Sequence, residues 1–190
     1  MATNTVEKGL TSIMPFPTVD SSLVSSFPLF TRQDTLRSTD AVVSAILAFD
    51  LHKLKALLSS PSSPSPPVLV NIPDRIGWSP IHYCTASTRL STEILDTLYN
   101  AGADMSLFTP SEHYTPLHCL AKSAHSTTCS LFLFTVHLVR DLHAPLGARD
   151  KNNETCIHIA AEHGESIDIL QALLDCDKSG TVRNLHNSRG

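Results

Sequence analysis

From Thr39 onward the apolar positions of this chain recur at helical spacing. Val42, Val43, Ile46 and Leu47 form one cluster and Leu51, Leu54, Leu57 and Leu58 another, each on the grid of an amphipathic helix. The break around Phe49 and Asp50 predicts two short helices over residues 40–59 rather than one. Further helices are marked by Ile94, Leu95 and Leu98, by the run from Phe132 to Val139, and by Ile167, Ile169, Leu170, Leu173 and Leu174. The most apolar run, Leu131 to Val139, is about half the length that crosses a bilayer. Arg140 and Asp141 follow it directly. It reads as a buried helix, and no membrane insertion is expected.

Two stretches lack this period. Residues 1–34 are rich in Ser, Thr and Pro, with Pro15, Pro17 and Pro28 interrupting any helix, so they are expected to be disordered. Residues 60–73 begin inside the low-complexity run SSPSSPSPP, Ser59 to Pro67, which predicts a loop with neither helix nor ladder strand. Its Ser-Pro steps suit proline-directed phosphorylation, and linker composition explains them equally well.

Ahead of the later helices the chain writes nearly the same words three times: WSPIH at 78–82, YTPLH at 114–118 and ETCIH at 154–158. Ser79, Thr115 and Thr155 stand where an N-cap oxygen accepts from a first-turn N–H. Pro80 and Pro116 then take the first helical position, where a missing N–H costs nothing; Cys156 replaces proline in the third copy. Ile81, Leu117 and Ile157 follow as core residues. Each unit is therefore a short helix, a turn and a second apolar helix. Such a pair buries its face only by stacking on neighbours.

These units resemble the ankyrin repeat, whose signature is T-P-L-H-x-A on a period near 33 residues. The fullest match is DKNNETCIHIAAEHGESIDILQALLD, residues 150–175, with Ala160 and Ala161 after the histidine and Gly164 in the turn. FDLHKLKALL, from Phe49, lies where the family writes GHLEIVKLLL. NLHNSRG at the end matches the opening of another repeat, with Asn187 in the Asp place and Gly190 in the Gly place. Spacings longer than the family period imply extra residues, mostly between the paired helices, as at Ser123 to Ser130.

The resemblance implies an all-α fold, an ankyrin-repeat solenoid of stacked helix pairs with hairpin-like loops over residues 35–190. Within it would lie a capping helix pair (40–59), the Pro/Ser-rich loop (60–73), repeats at 74–109, 110–149 and 150–186, and the start of a fourth at 187–190. It also implies a protein–protein interaction module, a scaffold or adaptor binding another protein through hairpin tips and a concave inner-helix face. The residues so assigned are Arg75, Ile76 and Trp78; Ser111, Glu112 and Tyr114; Lys122 and Ser123; Lys151, Asn152 and Glu154; and Glu162 and His163. Trp78 and Tyr114 share a register and are of the type that anchors interfaces, with Glu154 expected as the acidic end of the same ridge. The alternative is the regulatory or targeting region of a larger enzyme or signalling protein whose catalytic part lies beyond residue 190. Ile169 and Leu173 are expected on an open flank of the third unit, favouring weak self-association through the C-terminal end.

Charge and chemistry narrow the picture further. The formal net charge is −4 and the pI about 6.2, without a dense basic run, so nucleic acid is not expected as a partner. Five cysteines at 84, 119, 129, 156 and 176 form no CxxC pair, which suits reduced thiols in the cytoplasm or nucleus. The first twenty residues lack the basic start and apolar core of a secretory signal. His82, His118 and His158 share one register in separate units, too far apart for one metal ion, which needs about four converging ligands. The family resemblance gives them a structural part, hydrogen-bonding within and between repeats. No hydrolase, Walker-type or zinc-peptidase motif occurs, so no catalytic residue, metal or cofactor is expected.

Overall fold

The first-turn signals act where they are written. In the computed structural model, which describes residues 32–60, 66–126, 129–163 and 166–190, the described residues form helices and no strand. The helices are α1 (Arg32–Leu47), α2 (Leu51–Leu58), α3 (Pro66–Asn71), α4 (Pro80–Ala86), α5 (Thr92–Asn100), α6 (Pro116–Lys122), α7 (Leu131–Arg140), α8 (Cys156–His163) and α9 (Ile167–Cys176). The disorder expected of residues 1–34 falls, up to residue 31, outside the described residues; Arg32 to Asp34 already belong to α1.

The break at Phe49 and Asp50 does separate two helices. Phe49 takes φ 59°, and the Asp50 carboxylate accepts from the Lys53 N–H at 2.9 Å as the N-cap of α2. Phe49 thus adopts the left-handed conformation a glycine supplies freely at the corresponding point of the family pattern. The loop expected throughout 60–73 needs correction, because residues 66–71 form α3. Pro66 and Pro67 sit in its first turn, where a proline is tolerated because that N–H has no helical partner anyway. Leu69 and Val70 then turn into the core.

Each second helix begins on a serine that the apolar pattern does not mark. Ser91, Ser130 and Ser166 accept through their hydroxyls from the N–H groups of Ile94, Leu133 and Ile169, at 3.2, 3.3 and 3.4 Å. Eight residues separate α6 from α7 where five separate α4 from α5, so the second unit carries its extra length there. That longer connection is tied back to the first: Ser126 N–H donates to Thr88 O at 2.7 Å, and the His125 ring lies 2.9 Å from Ser87 O. Gly164 lies outside the described residues.

The first helices stack in the order α1, α4, α6, α8, and the second helices pack as α2 on α5 and α7 on α9, with α3 against α1 and α4. One continuous core runs through the stack and includes Leu54, Ile81, Leu95, Leu117, Phe134 and Ile159. Ile169 and Leu173, expected on an open flank, are buried instead. α9 lays this face along α7, so these two side chains offer no adhesive edge. Residues after α9 fold back on it: buried Asp177 accepts from the N–H groups of Val182 and Arg183 at 3.1 and 2.8 Å, and the Arg183 guanidinium donates to Leu174 O at 3.1 Å.

Candidate interaction groove

The loops before α4, α6 and α8 are tight turns closed by a side chain at their base. In the first, Asp74 Oδ1 accepts from the N–H groups of Ile76 and Trp78 at 2.9 and 3.0 Å, and Gly77 turns the chain with φ 89°. Asp150 repeats this toward Asn152 and Glu154, both at 2.8 Å. Thr109 takes the part in the second turn through its hydroxyl, which accepts from Tyr114 N–H at 3.1 Å. His113 and Asn153, both at φ 59°, stand where Gly77 stands. The turn recurs at the end of the chain: Arg189 N–H donates to Asn187 Oδ1 at 3.0 Å, Gly190 N–H to Asn187 O at 3.2 Å, and Gly190 has φ 106°. The turns are also joined to each other, by Lys151 N–H to Glu112 O at 3.1 Å and Ser188 N–H to Asn152 O at 3.0 Å.

Behind each turn the repeated histidine sets the spacing. His118 Nδ1 lies 3.2 Å from Thr115 N and 2.8 Å from its hydroxyl, and Nε2 lies 3.1 Å from Glu154 O in the next unit. Because Nδ1 accepts a backbone N–H it carries no proton, so the hydroxyl also donates to it and Nε2 keeps the proton for the neighbour. The hydroxyl, expected as an acceptor from the first turn, also donates to the imidazole within a capping box whose third residue is histidine. His82 does the same with Ser79 and reaches Tyr114 O and Leu107 O, both at 3.1 Å. Burial holds the pKa of both rings below the ordinary histidine value, with backbone hydrogen bonds only partly offsetting it, which keeps this neutral tautomer in place. His158 bonds Thr155 alike, at 3.2 and 2.9 Å, and is half-buried with no Nε2 acceptor among the described residues.

Six of the assigned residues come together. Trp78, Ser111, Glu112, Tyr114, Lys122 and Ser123 line one groove of about 340 Å³ between the turns and the first helices. Thr109 and Cys119, which the pattern did not single out, complete it. Trp78 leans on His82 and Tyr83, with ring centres 6.0 and 5.3 Å away, and Tyr114 stacks on His118 at 5.8 Å with its plane 11° off. The Lys122 ammonium sits 4.8 Å over the Tyr114 ring and donates to its hydroxyl at 2.9 Å. Lys151 joins through an ion pair with Glu112.

The other assigned residues lie apart from the groove. Arg75 and Ile76 are exposed at the first turn, and His163 is exposed at the end of α8. Asn152 is engaged by its carbonyl, which accepts from Ser188, and Glu162 pairs with Arg189 at 3.2 Å. Glu154 is not the acidic end of an exposed ridge: it is buried, bonded to Asn187 Nδ2 at 3.1 Å and paired with Arg189 at 3.4 Å. The final turn lies over it.

The cysteine and histidine content does not converge. Burial pushes the thiols of Cys84, Cys119 and Cys156 up to about 12, so they are protonated side chains of the core. No group of three or more His, Cys, Asp and Glu suited to a metal ion occurs among the described residues, and no helix there is long and apolar enough to cross a membrane.

No curated protein matches the chain. A family model described as ankyrin repeats (3 copies) matches residues 91–184, the span that holds two of the histidine-capped units and the final fold-back. With its all-helical stack, its TPLH-type helix starts and that match, the chain belongs to the ankyrin-repeat family.

Proposed function

We propose that this chain is a scaffold or adaptor that binds another protein along the face formed by its turns and first helices, with the groove between Trp78 and Tyr114 at the centre. Ankyrin repeats generally mediate protein–protein interaction. The observation that carries the finer reading is the convergence on one groove of six of the assigned residues, five from three separate loops and Lys122 from the end of α6. None of the six is fully buried in the stack, although Tyr114 shares in it through its carbonyl and its ring. Large aromatics with a polar tip, partly buried and flanked by polar groups, are the usual centres of binding energy.

The test is the affinity of a partner recovered from cell extract for Trp78→Ala, Tyr114→Ala and the double variant. Lys55→Ala, between α2 and α5 on another surface, serves as control, and circular dichroism verifies the fold. Truncating a true anchor costs about 2 kcal/mol or more of binding. Wild-type affinity in the double variant, with a loss in the control, would move the interface away from the groove.

A further inference from the structure

The charges around the groove are unevenly compensated, and this bears on what the partner carries. Glu112 is held by Lys151. Toward the third unit, Glu154 and Glu162 are both held by Arg189. Lys122 has no carboxylate within ion-pair distance among the described residues; its ammonium is bound only by the Tyr114 hydroxyl and ring. Arg75, exposed on the neighbouring turn, likewise has no carboxylate partner among the described residues. Glu112, Glu154 and Glu162 are thus each paired with a cation, while Asp74 and Asp150 are turned into the bases of their own turns, and two cations without a carboxylate partner stand at the groove and just beside it.

The lining around the Lys122 ammonium joins apolar walls to the polar side chains of Thr109, Ser111, Glu112 and Ser123. Trp78 and Tyr114 form walls, and the Cys119 thiol, protonated by burial, belongs to the lining. The hydrogen bond to Tyr114 raises the lysine pKa above its ordinary value, so the charge persists at neutral pH. The volume, about 340 Å³, is at the small end of ligand pockets and suits one or two side chains rather than a folded element.

We propose that the groove takes an extended peptide segment of the partner in which an acidic side chain neighbours an apolar one. The apolar side chain enters between Trp78 and Tyr114, and the carboxylate receives a charge-assisted hydrogen bond from Lys122. The inference rests on the reading of the groove as the binding face and adds the chemistry of what binds there. The ammonium holds two further protons beyond the one it gives Tyr114, so the carboxylate does not have to displace the existing bond. An aromatic wall on one side reduces the water that would otherwise screen the pair.

The experiment is selection of random linear peptides displayed on phage against this chain. Recovered peptides are then titrated and read by the emission of Trp78, the single tryptophan, and by polarisation of a labelled peptide. The expected pool is enriched in Asp or Glu beside Leu, Ile or Phe. Replacing that acid by its amide should weaken binding about tenfold, as for one charged hydrogen-bonded pair. Lys122→Glu should lose at least as much and, in a fresh selection, enrich Lys or Arg instead; Lys122→Met should bind acid and amide peptides equally.

A pool without acidic bias, or one whose affinity is unchanged in Lys122→Glu, overturns the inference. If such unbiased peptides still lose binding in Trp78→Ala, only the charge assignment has failed. Peptides indifferent to both Trp78→Ala and Tyr114→Ala would overturn the groove as the binding face, and with it the proposed function. A selection that recovers nothing counts against both.

Discussion

Replacing His118 by alanine removes three hydrogen bonds from a fully buried ring, and the three losses are unequal. Thr115 N–H donates to Nδ1 and Thr115 is buried, so its donor is orphaned, at about 1–3 kcal/mol. Glu154 O loses Nε2 but keeps Asp150 N–H at 2.9 Å, so that loss is only one net hydrogen bond, about 1 kcal/mol. The Thr115 hydroxyl can rotate and loses little. With the void left by the ring, His118→Ala should cost about 3 kcal/mol. His118→Gln should cost about 1 kcal/mol, since glutamine at the third helical position can still reach back to the cap N–H but does not cross to the next unit. His158→Ala loses the cap bonds alone, from a half-buried ring, and should fall about 1–2 kcal/mol short of His118→Ala. Urea unfolding followed by circular dichroism measures all three, with equal slopes required for comparison. If His158→Ala matches His118→Ala, or the glutamine variant is as damaged as the alanine one, the inter-unit bond is not what these histidines contribute.

Acid and base should act on different histidines. His137 bridges Asp96 at 2.6 Å and Asp141 at 2.7 Å; burial works against its charge, but the two carboxylates outweigh it and raise its pKa. Its contribution, at most about 1 kcal/mol for so exposed a cluster, is therefore complete below its ordinary value of 6.5 and lost as pH rises through the folded value. The destabilisation by His137→Gln should shrink with rising pH, and growth instead would refute the assignment. His82 and His118, with lowered values, contribute in the opposite sense: stability present above 6.5 and lost as pH falls. Gly77→Ala should cost about 3 kcal/mol, because φ is 89° and the new methyl falls on the Pro110 side chain; a thermal melt within error of wild type would contradict this close approach of Gly77 to Pro110. His143→Gly should stabilise by about 0.5–1 kcal/mol in a urea titration, since His143 has φ 58° just before buried Ala144, as Gly102 with φ 93° precedes Ala103. Phe49→Gly should bring no such gain, because the Phe49 ring carries the Arg89 guanidinium at 4.4 Å.

What the chain made legible was local. The hydroxyl–proline–aliphatic–histidine words mark helix starts because cap, fixed φ and first-turn bonding are all satisfied within four residues. That several of the named tip residues neighbour each other was legible for a similar reason: once the units are in register, loop residues at equivalent positions must lie side by side. α3 was obscured because its prolines, read as breakers, stand in the one turn that tolerates them. Left-handed turns at Phe49, His113 and His143 were invisible because no glycine announces them. Glu154 was misplaced because its burial depends on Asn187 and Arg189, 33 and 35 residues away, and no local pattern encodes such a pairing. His137 with Asp96, 41 residues apart, escaped for the same reason.

The stack and the groove are not independent in this chain, because they share atoms. Tyr114 supplies a wall of the groove with its ring, while its carbonyl receives both His82 Nε2 from the preceding unit and Thr109 N–H from the base of its own turn. Its ring in turn lies flat on His118, whose Nε2 donates to the following unit at Glu154. One residue therefore stands at the junction of two inter-unit bonds, with backbone and side chain each held by a different histidine. Lys122 is then positioned by Tyr114 rather than by any residue of the stack. The order of dependence runs from cap to histidine, from histidine to Tyr114, and from Tyr114 to the unpaired ammonium. Each step before the last is made by a buried group. A cation on a flexible stem gains a fixed place in this way, although only an aromatic ring and a hydroxyl hold it.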